Sequence, residues 1–258
     1  MDREQLMNTA VGAAVEAGSA VLDICREGDF GIERKDDDSP LTKADRMAHE
    51  LIRKVLEPSG LPLLSEEGQE IPFAVRRRWK RFWMVDPLDG TKEFISGNGE
   101  FTVNIALVDN QAPALGVVFV PVTGELFFGD VCHGAWYAKH HGRGLAGTVS
   151  LPFDGKARAY RVVASRSHMT QETAAFIERL RAEYPSLEIV RRGSSLKICM
   201  VAAGEADIYP RFGPTMEWDT AAGDAIMRSV GKKLVDPSTG FELRYNKEHL
   251  LNPFFIAT

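Results

Sequence analysis

The spacing of hydrophobic residues predicts two helices at the start of the chain. Within residues 4–25, small and apolar side chains recur every three or four positions, so one face of a helix should pack against the rest of the protein. These side chains are Leu6, Ala10, Ala14, Ala17, Val21 and Cys25. A second helix is predicted from about Thr42 to Leu56, with Met47, Leu51 and Val55 in one row and Pro58-Ser59-Gly60 as its end.

Short runs rich in valine and phenylalanine follow these helices and predict neighbouring strands. Glycine, proline and asparagine separate the runs, as expected for turns between strands. The predicted strands are Leu61–Leu64, Arg81–Val85, Phe101–Val108, Ala114–Val120, Glu125–Phe128 and Ala135–Ala138.

The second half of the chain alternates between short strands and helices. Strands are predicted at Val162–Ala164, Ile189–Val190 and Ala206–Tyr209, and helices at Gln171–Tyr184, Ser194–Ala203 and Asp219–Val230. Residues 145–158 are rich in turn formers and suggest a boundary between two subdomains, 1–150 and 151–258. The overall pattern predicts an α/β (α+β) fold with layered sheets and helices.

Composition excludes several classes of protein. Of 258 residues, 44% are hydrophobic and 26% are charged, which is ordinary for a globular chain and excludes disordered and collagen-like sequences. The net charge of −5 argues against nucleic-acid binding by phosphate neutralisation. Cys25, Cys132 and Cys199 lack CxxC spacing, and no apolar run approaches a membrane span, so a cytoplasmic protein is expected.

Three clusters of carboxylates follow apolar strands or open a helix. Glu66-Glu67 comes directly after LPLLS, Asp86 and Asp89 come after RFWMV, and Asp219 lies at a predicted helix start. Strand ends on one edge of a sheet commonly form the rim of an active site in α/β folds. Taken singly, each cluster is also compatible with a turn, a helix cap or a solvated loop, but together they favour a functional site.

The residue types in these clusters suit a divalent cation and a phosphate. Carboxylates and the Leu88 carbonyl are oxygen donors of the kind that Mg²⁺ prefers. Gly90 and Thr91 offer backbone N–H groups at a predicted helix start, a place that suits phosphate oxygens. Carboxylates gathered this closely would raise one another's pKa unless a cation lay among them.

The same segments resemble the signature motifs of a known enzyme family. LLSEEG, WMVDPLDGTKEF and EWDTAAGDA resemble those of the inositol monophosphatase superfamily, whose members are Mg²⁺-dependent, lithium-sensitive phosphatases. Lys92-Glu93-Phe94 and the segments NGEFTVNIALV and RRGSSLK are similar to the CysQ-type 3′(2′),5′-bisphosphate nucleotidase branch. The resemblance implies a layered α/β/α/β/α sandwich of the inositol monophosphatase and fructose-1,6-bisphosphatase type.

The resemblance also implies roles for individual residues. The metal ligands would hold two or three Mg²⁺ ions and would be Glu66, Asp86, Asp89, Asp219 and the Leu88 carbonyl. Thr91 and Asp45 would orient and activate the attacking water, with Glu66 as a further catalytic group. Residues implied to contact substrate include Glu66, Leu88, Asp89, Gly90, Thr91 and Asp219.

Specificity for a second phosphate requires additional polar or cationic side chains. The candidates are Arg166, His168, Ser194, Ser195, Lys197 and Arg211. Guanidinium and ammonium groups suit phosphate oxygens, although each residue taken singly is also compatible with ordinary surface charge. The resemblance favours Ser194, Lys197 and His168 most.

The predicted activity is Mg²⁺-dependent removal of the 3′-phosphate of adenosine 3′,5′-bisphosphate (PAP), in sulfate assimilation. The substrate is a small molecule, and no obligate protein partner is indicated. One alternative is an inositol-phosphate or sugar-phosphate phosphatase of the same superfamily. Another is a catalytically silent module that binds metal and nucleotide.

Four further features of the sequence bear on other possible functions. Gly142, Gly144 and Gly147 fit the letters of a dinucleotide-binding motif, but no helix is predicted after them, so no such site is expected. The basic run at residues 76–81 is interpreted as a solvated helix end, with weak peripheral membrane association at the cytoplasmic face as a secondary hypothesis. His140-His141 is interpreted as a hairpin tip, and Asp36–Asp38 as an acidic loop that the resemblance places near the active site.

Overall fold

The computed structural model describes residues 1–34, 40–140, 144–153, 155, 158–166 and 169–258. The helices are α1 (Arg3–Glu27), α2 (Lys43–Leu56), α3 (Phe73–Arg76), α4 (Thr91–Ser96), α5 (Gln171–Glu183), α6 (Leu196–Ala202) and α7 (Glu217–Ser229). The predicted helices are confirmed within a few residues at each end.

Within the described ranges, the strands form one large sheet and three small ones. The large sheet contains β3 (Leu63–Ser65), β4 (Arg81–Asp89), β5 (Thr102–Asp109), β6 (Ala112–Val120), β7 (Glu125–Asp130), β8 (Gly134–His140) and β9 (Leu145–Ser150), in that order. The small sheets pair β1 (Glu33–Arg34) with β2 (Pro40–Leu41), β10 (Arg161–Ser165) with β11 (Glu188–Arg192), and β12 (Tyr209–Arg211) with β14 (Phe255–Ala257) and β13 (Leu234–Val235).

The large sheet is antiparallel except at one edge, where β3 and β4 run parallel. Strand β9 was not predicted, because it contains Gly147, follows Gly144 and lies in the turn-rich stretch 145–158. In the structure β9 pairs with β8 as the outermost strand, and its residues with a described side chain are exposed. A strand at the edge of a sheet needs no continuous apolar pattern, so periodicity alone missed it.

Helices cover both faces of the large sheet and create two cores. Alternate residues of each central strand enter opposite cores, as Val85 packs with α1 and α2 while Met84 packs with α6 and α7. Burial on both faces explains why the central strands read as near-continuous hydrophobic runs. The smaller sheet of β10 and β11 packs against α5 through Val162 and Ile177. The predicted layered α/β architecture is therefore confirmed.

Helix α2 begins where the sequence predicted but buries a different row of side chains. Its N-cap Thr42 and Asp45 form a reciprocal capping box, which fixes the start of the helix. The buried row contains Ala48 and Ile52, whereas Met47 is 49% exposed. Small side chains allow α1 and α2 to approach closely, so the larger residues of the predicted row lie beside the contact.

The basic run at residues 76–81 is only partly solvated, which corrects the sequence-based interpretation. Arg76 is 3% exposed and donates hydrogen bonds to Asn246 Oδ1 (2.9 Å) and to the Glu248 carbonyl (2.6 Å). Its guanidinium therefore joins α3 to the segment that follows β13. Arg77, Arg78 and Lys80 are exposed. Across the described part of the chain, no helix combines the length and hydrophobicity that crossing a membrane requires.

The close approach of β6 to α7 predicts a large effect of one glycine substitution. A Cβ at Gly116 would lie 2.1 Å from the Ala222 carbonyl oxygen and 2.8 Å from Ala225 Cβ. Gly116→Ala should therefore lower the free energy of unfolding by about 3 kcal/mol, since an added methyl forces backbone shifts in a packed core. Urea unfolding measures this change.

Gly12→Ala is the matched control for that substitution. Gly12 lies on the exposed face of α1, with no atom within 4 Å of an added Cβ. The change should leave stability equal or raise it by about 0.5–1 kcal/mol, because alanine favours helix. Equal stability of the two variants would contradict the tight contact between β6 and α7.

Candidate active site

Three carboxylates meet where the β3–β4 edge of the large sheet faces the start of α7. Parallel pairing places Ser65 beside Val85, so the residues that follow them, Glu66 and Asp86, lie side by side. Asp219 reaches the same place from the first turn of α7. One oxygen from each of Glu66, Asp86 and Asp219 lies within 4.8 Å of the other two.

Burial and mutual repulsion make this cluster electrostatically costly. Asp86 is 1% exposed, and its burial, followed by the charges of Glu66 and Asp89, raises its pKa well above the ordinary value. Burial likewise raises the pKa of Asp219, and the Asp89 carboxylate adds to the shift. A set of carboxylate oxygens held together against their repulsion fits a hard divalent cation.

Asp89 lies next to this cluster, and one of its carboxylate oxygens accepts several hydrogen bonds from the protein. A bulge separates it from Asp86 in β4. Its Oδ2 accepts hydrogen bonds from the Ser195 N–H (2.7 Å), from Ser195 Oγ (2.7 Å) and from Asn104 Nδ2 (3.2 Å). The Thr102 hydroxyl lies at 3.4 Å from the same oxygen.

The capping box of α2 brings Asp45 to Thr91. Asp45 is 2% exposed, and its Oδ2 accepts hydrogen bonds from the Thr42 N–H (2.7 Å) and hydroxyl (2.6 Å). Its other oxygen, Oδ1, lies 3.4 Å from Thr91 Oγ1, which is also 3.4 Å from the Leu88 carbonyl. Gly90 precedes Thr91 with φ of +93°, a left-handed conformation that glycine adopts without strain. The structure thus brings together residues that lie 46 positions apart.

Glu66, Asp86, Asp89, Thr91 and Asp219 line one cavity of about 300 Å³ whose lining also includes cationic side chains. These are Lys197 and Arg211, which line the cavity together with Ser194 and Tyr209 and are referred to as its cationic end. Burial lowers the pKa of Lys197 to about 8, and its Nζ donates to the Ser194 carbonyl at 2.5 Å. Arg211 donates through Nη2 to the Pro214 carbonyl, while its buried Nε has no hydrogen-bond partner among the described residues.

Arg166, Ser195 and His168 are the other residues that the sequence suggested for binding the second phosphate. Arg166 forms a two-point ion pair with Glu100, at 2.9 and 2.7 Å, and is absent from the cavity lining that the structure describes. Ser195 turns its hydroxyl towards Asp89 and the Asp219 carbonyl. His168, the acidic loop Asp36–Asp38 and His141 lie outside the described residues.

Sequence reasoning missed two polar groups in this region. Asn104 lies in the middle of β5, is 1% exposed and contacts both Asp89 and Ser195. The sequence could have revealed Asn104, because it is the one polar residue within the apolar run VNIALV. Glu93 is 8% exposed and lines the cavity, but a glutamate in the first turn of a helix is too common to stand out.

The comparison with protein families agrees with the geometry. The model of the inositol monophosphatase family matches residues 2–254. The chain is 44% identical over 251 residues to the 3′(2′),5′-bisphosphate nucleotidase CysQ of Salmonella typhimurium, covering 95% of this chain and 96% of the relative. Identity to the Escherichia coli K12 protein of the same name is 43% over 249 residues, covering 94% and 95%.

Solved structures show the same fold. The crystal structure of CysQ from Bacteroides thetaiotaomicron superposes with a TM-score of 0.90 at 46% identity, covering 99% of this chain and 97% of that one. The extragenic suppressor protein suhB from Bartonella henselae superposes with a TM-score of 0.76 at 26% identity, covering 98% and 93%. The family match over nearly the whole chain and the shared fold lead to one conclusion: this chain belongs to the inositol monophosphatase family.

Proposed function

We propose that this protein is a metal-dependent phosphatase that removes the 3′-phosphate of PAP, giving AMP and phosphate. The observation that carries the proposal is that one cavity is lined both by the three-carboxylate cluster and by the cationic Lys197 and Arg211. A substrate with two phosphates can occupy both ends. The names of the relatives, 3′(2′),5′-bisphosphate nucleotidases, support the same substrate class.

The carboxylate end would hold the metal. Glu66, Asp86 and Asp219 are the proposed ligands, with Asp89 and the Leu88 carbonyl completing a set for two or three Mg²⁺ ions. Bound Mg²⁺ supplies positive charge to the phosphate oxygens and lowers the pKa of water at the site. The buried, mutually repelling carboxylates support this assignment, because a cation among them would offset both their repulsion and the cost of burying their charges.

Thr91 and Asp45 would orient the attacking water. The capping box fixes Asp45 through its Oδ2, and Oδ1 then faces the Thr91 hydroxyl. When the Thr91 hydroxyl donates its one hydrogen to Asp45 Oδ1, its lone pairs can accept a hydrogen bond from a water in the cavity. A proton taken from that water by Thr91 Oγ1 would be balanced by transfer of the original Thr91 proton to the Asp45 carboxylate. The two residues thus define a proton path that leads away from the phosphate.

Lys197, Arg211 and Ser194 would bind the second phosphate. The buried Arg211 Nε, which has no hydrogen-bond partner among the described residues, and the buried Lys197 ammonium are donors held in low dielectric, where an anion gains most from them. A phosphomonoester of inositol or a sugar has no second phosphate to place there. This end of the cavity therefore favours the bisphosphate over the alternative substrates.

The resemblance extends the proposal beyond the reaction. It implies lithium inhibition, a role in sulfate assimilation, and a cytoplasmic location. Because Arg76 is buried, weak attraction to an anionic membrane surface would depend on the exposed Arg77, Arg78 and Lys80 and on the partly exposed Arg81.

Comparing two substrates tests the proposal directly. Phosphate release from PAP should exceed release from inositol 1-phosphate at equal concentration, and a chelator should abolish both activities. A preference for the inositol ester would retain the metal chemistry but overturn the role of the cationic end. Chelator-resistant release would contradict the metal site itself.

Asp86→Asn separates the catalytic role of the cluster from its role in stability. Removing a ligand charge should lower kcat/KM by at least about 10³-fold, which corresponds to about 4 kcal/mol of transition-state stabilisation. The metal-free variant should nevertheless unfold at a higher temperature than the wild type, because a buried repulsion is lost.

The pH dependence of that difference has a defined sign. Since the folded-state pKa of Asp86 is raised, the metal-free wild type should lose stability as pH rises above the ordinary carboxyl range, and the variant should lose less. Calorimetric melting between acidic and neutral pH measures both curves. Asp109→Asn, at the far end of β5, is the control and should change neither activity nor this slope. If the stability of metal-free Asp86→Asn falls with pH as steeply as that of the wild type, the electrostatic argument is contradicted.

Lys197→Met tests substrate discrimination while keeping the apolar stem of the side chain. KM for PAP should rise about 10–100-fold, because a hydrogen bond to a charged group contributes about 1.5–3 kcal/mol. Adenosine 3′-monophosphate, which lacks the second phosphate, should be hydrolysed within about threefold of the wild-type rate. The exposed Lys139, changed to Met, serves as the control. Equal losses on both substrates would indicate a general structural role for Lys197.

A further inference from the structure

Asp89 presents its two carboxylate oxygens to different surroundings. All four side-chain and backbone donors that reach it among the described residues bind Oδ2, and none binds Oδ1. Two of the four come from Ser195, through its N–H and its hydroxyl, both at 2.7 Å. Oδ2 is therefore occupied by the protein, and Oδ1 is the oxygen left for a ligand in the cavity.

Ser195 joins three parts of the chain that meet at the carboxylates. Its hydroxyl lies 2.7 Å from Asp89 Oδ2 and 2.7 Å from the Asp219 carbonyl, and it accepts from Asn104 Nδ2 at 2.9 Å. The hydroxyl has one hydrogen, so it donates to one of its two acceptors at a time. Ser195 thus connects the end of β4, the middle of β5 and the first turn of α7.

The backbone around Ser195 is fixed rather than free. Ser194 has a positive φ of 40°, and the Gly193 N–H donates to Glu100 Oε2 at 2.7 Å. A Cβ at Gly193 would lie 2.8 Å from the Glu100 carbonyl oxygen, so the turn is packed tightly against the loop before β5. These contacts hold the Ser195 N–H and hydroxyl at set positions before α6 begins.

We propose that Ser195, together with Asn104, is a positioning residue that fixes the Asp89 carboxylate so that Oδ1 serves as a metal ligand. Groups that hydrogen-bond to a ligating carboxylate orient it, and their loss typically weakens metal binding by about 10–100-fold. Both residues act through Asp89 and need not touch the substrate. This inference rests on the proposed metal site, and it assigns Ser195 to Asp89 rather than to the second phosphate.

Direct binding of Mn²⁺ tests the inference without any measurement of turnover. Electron paramagnetic resonance reports free Mn²⁺ in a titration of the full-length protein. Ser195→Ala keeps the N–H bond but removes the hydroxyl, and the dissociation constant should rise about tenfold or more. Asn104→Ala should have an effect of the same size.

The double variant and a control separate positioning from general destabilisation. Because both side chains act on one oxygen, the combined effect should be smaller than the product of the single effects. Ser229→Ala removes a hydroxyl that donates to the Ala225 carbonyl at the far end of α7, and should bind Mn²⁺ like the wild type. Melting temperatures of the metal-free proteins should be similar for Ser195→Ala and Ser229→Ala.

The possible outcomes distinguish this inference from the proposed function. Failure of the wild type to bind Mn²⁺ would overturn the metal site and the inference together. Wild-type binding with unchanged affinity in both Ser195→Ala and Asn104→Ala would overturn the inference alone. A matching loss of affinity in Ser229→Ala would show that stability, rather than orientation of Asp89, controls binding.

Discussion

Repulsion among buried carboxylates is the interaction on which the arrangement of this molecule depends. Asp86 lies at the centre, and its raised pKa reflects burial and the charges of Glu66, Asp89 and Asp219. Such a cluster persists only because the surrounding structure contributes more stability than the repulsion removes. The parallel β3–β4 pair, the bulge before Asp89 and the first turn of α7 each fix one part of it.

The position of α7 is maintained by a second buried polar network behind the site. Glu217, which is fully buried, accepts from the backbone N–H groups of Asn246 and Lys247 and from the Lys247 ammonium. Arg76 binds the same segment from the side of α3. A paired buried charge of this kind is costly to break, so the network holds the helix end that carries Asp219.

The cavity combines two electrostatic environments that need different forms of support. The acidic end is assembled from strand ends and a helix start, which are rigid elements suited to fixed ligand geometry. The cationic end depends on the buried Lys197, which donates to the Ser194 carbonyl, and on the partly buried Arg211, which donates to the Pro214 carbonyl. A bisphosphate would complete both environments at once. The proposed discrimination between substrates therefore follows from burial as much as from charge.

The sequence by itself determined the five longer helices, most strands of the large sheet, the three carboxylate segments and the family resemblance, because these depend on local periodicity and on short motifs. It did not determine the edge strand β9 or the short strands β1, β2, β13 and β14. It did not determine which row of α2 is buried, since Ala48 and Met47 both fit an apolar pattern and only the close approach of α1 selects the smaller side chain. It also missed the burial of Arg76 and the role of Asn104. Both depend on partners that are far away in the chain, 170 residues away for the Asn246 contact of Arg76. Only tertiary structure brings such partners together, and hydrogen-bond geometry then decides that Ser195 faces Asp89.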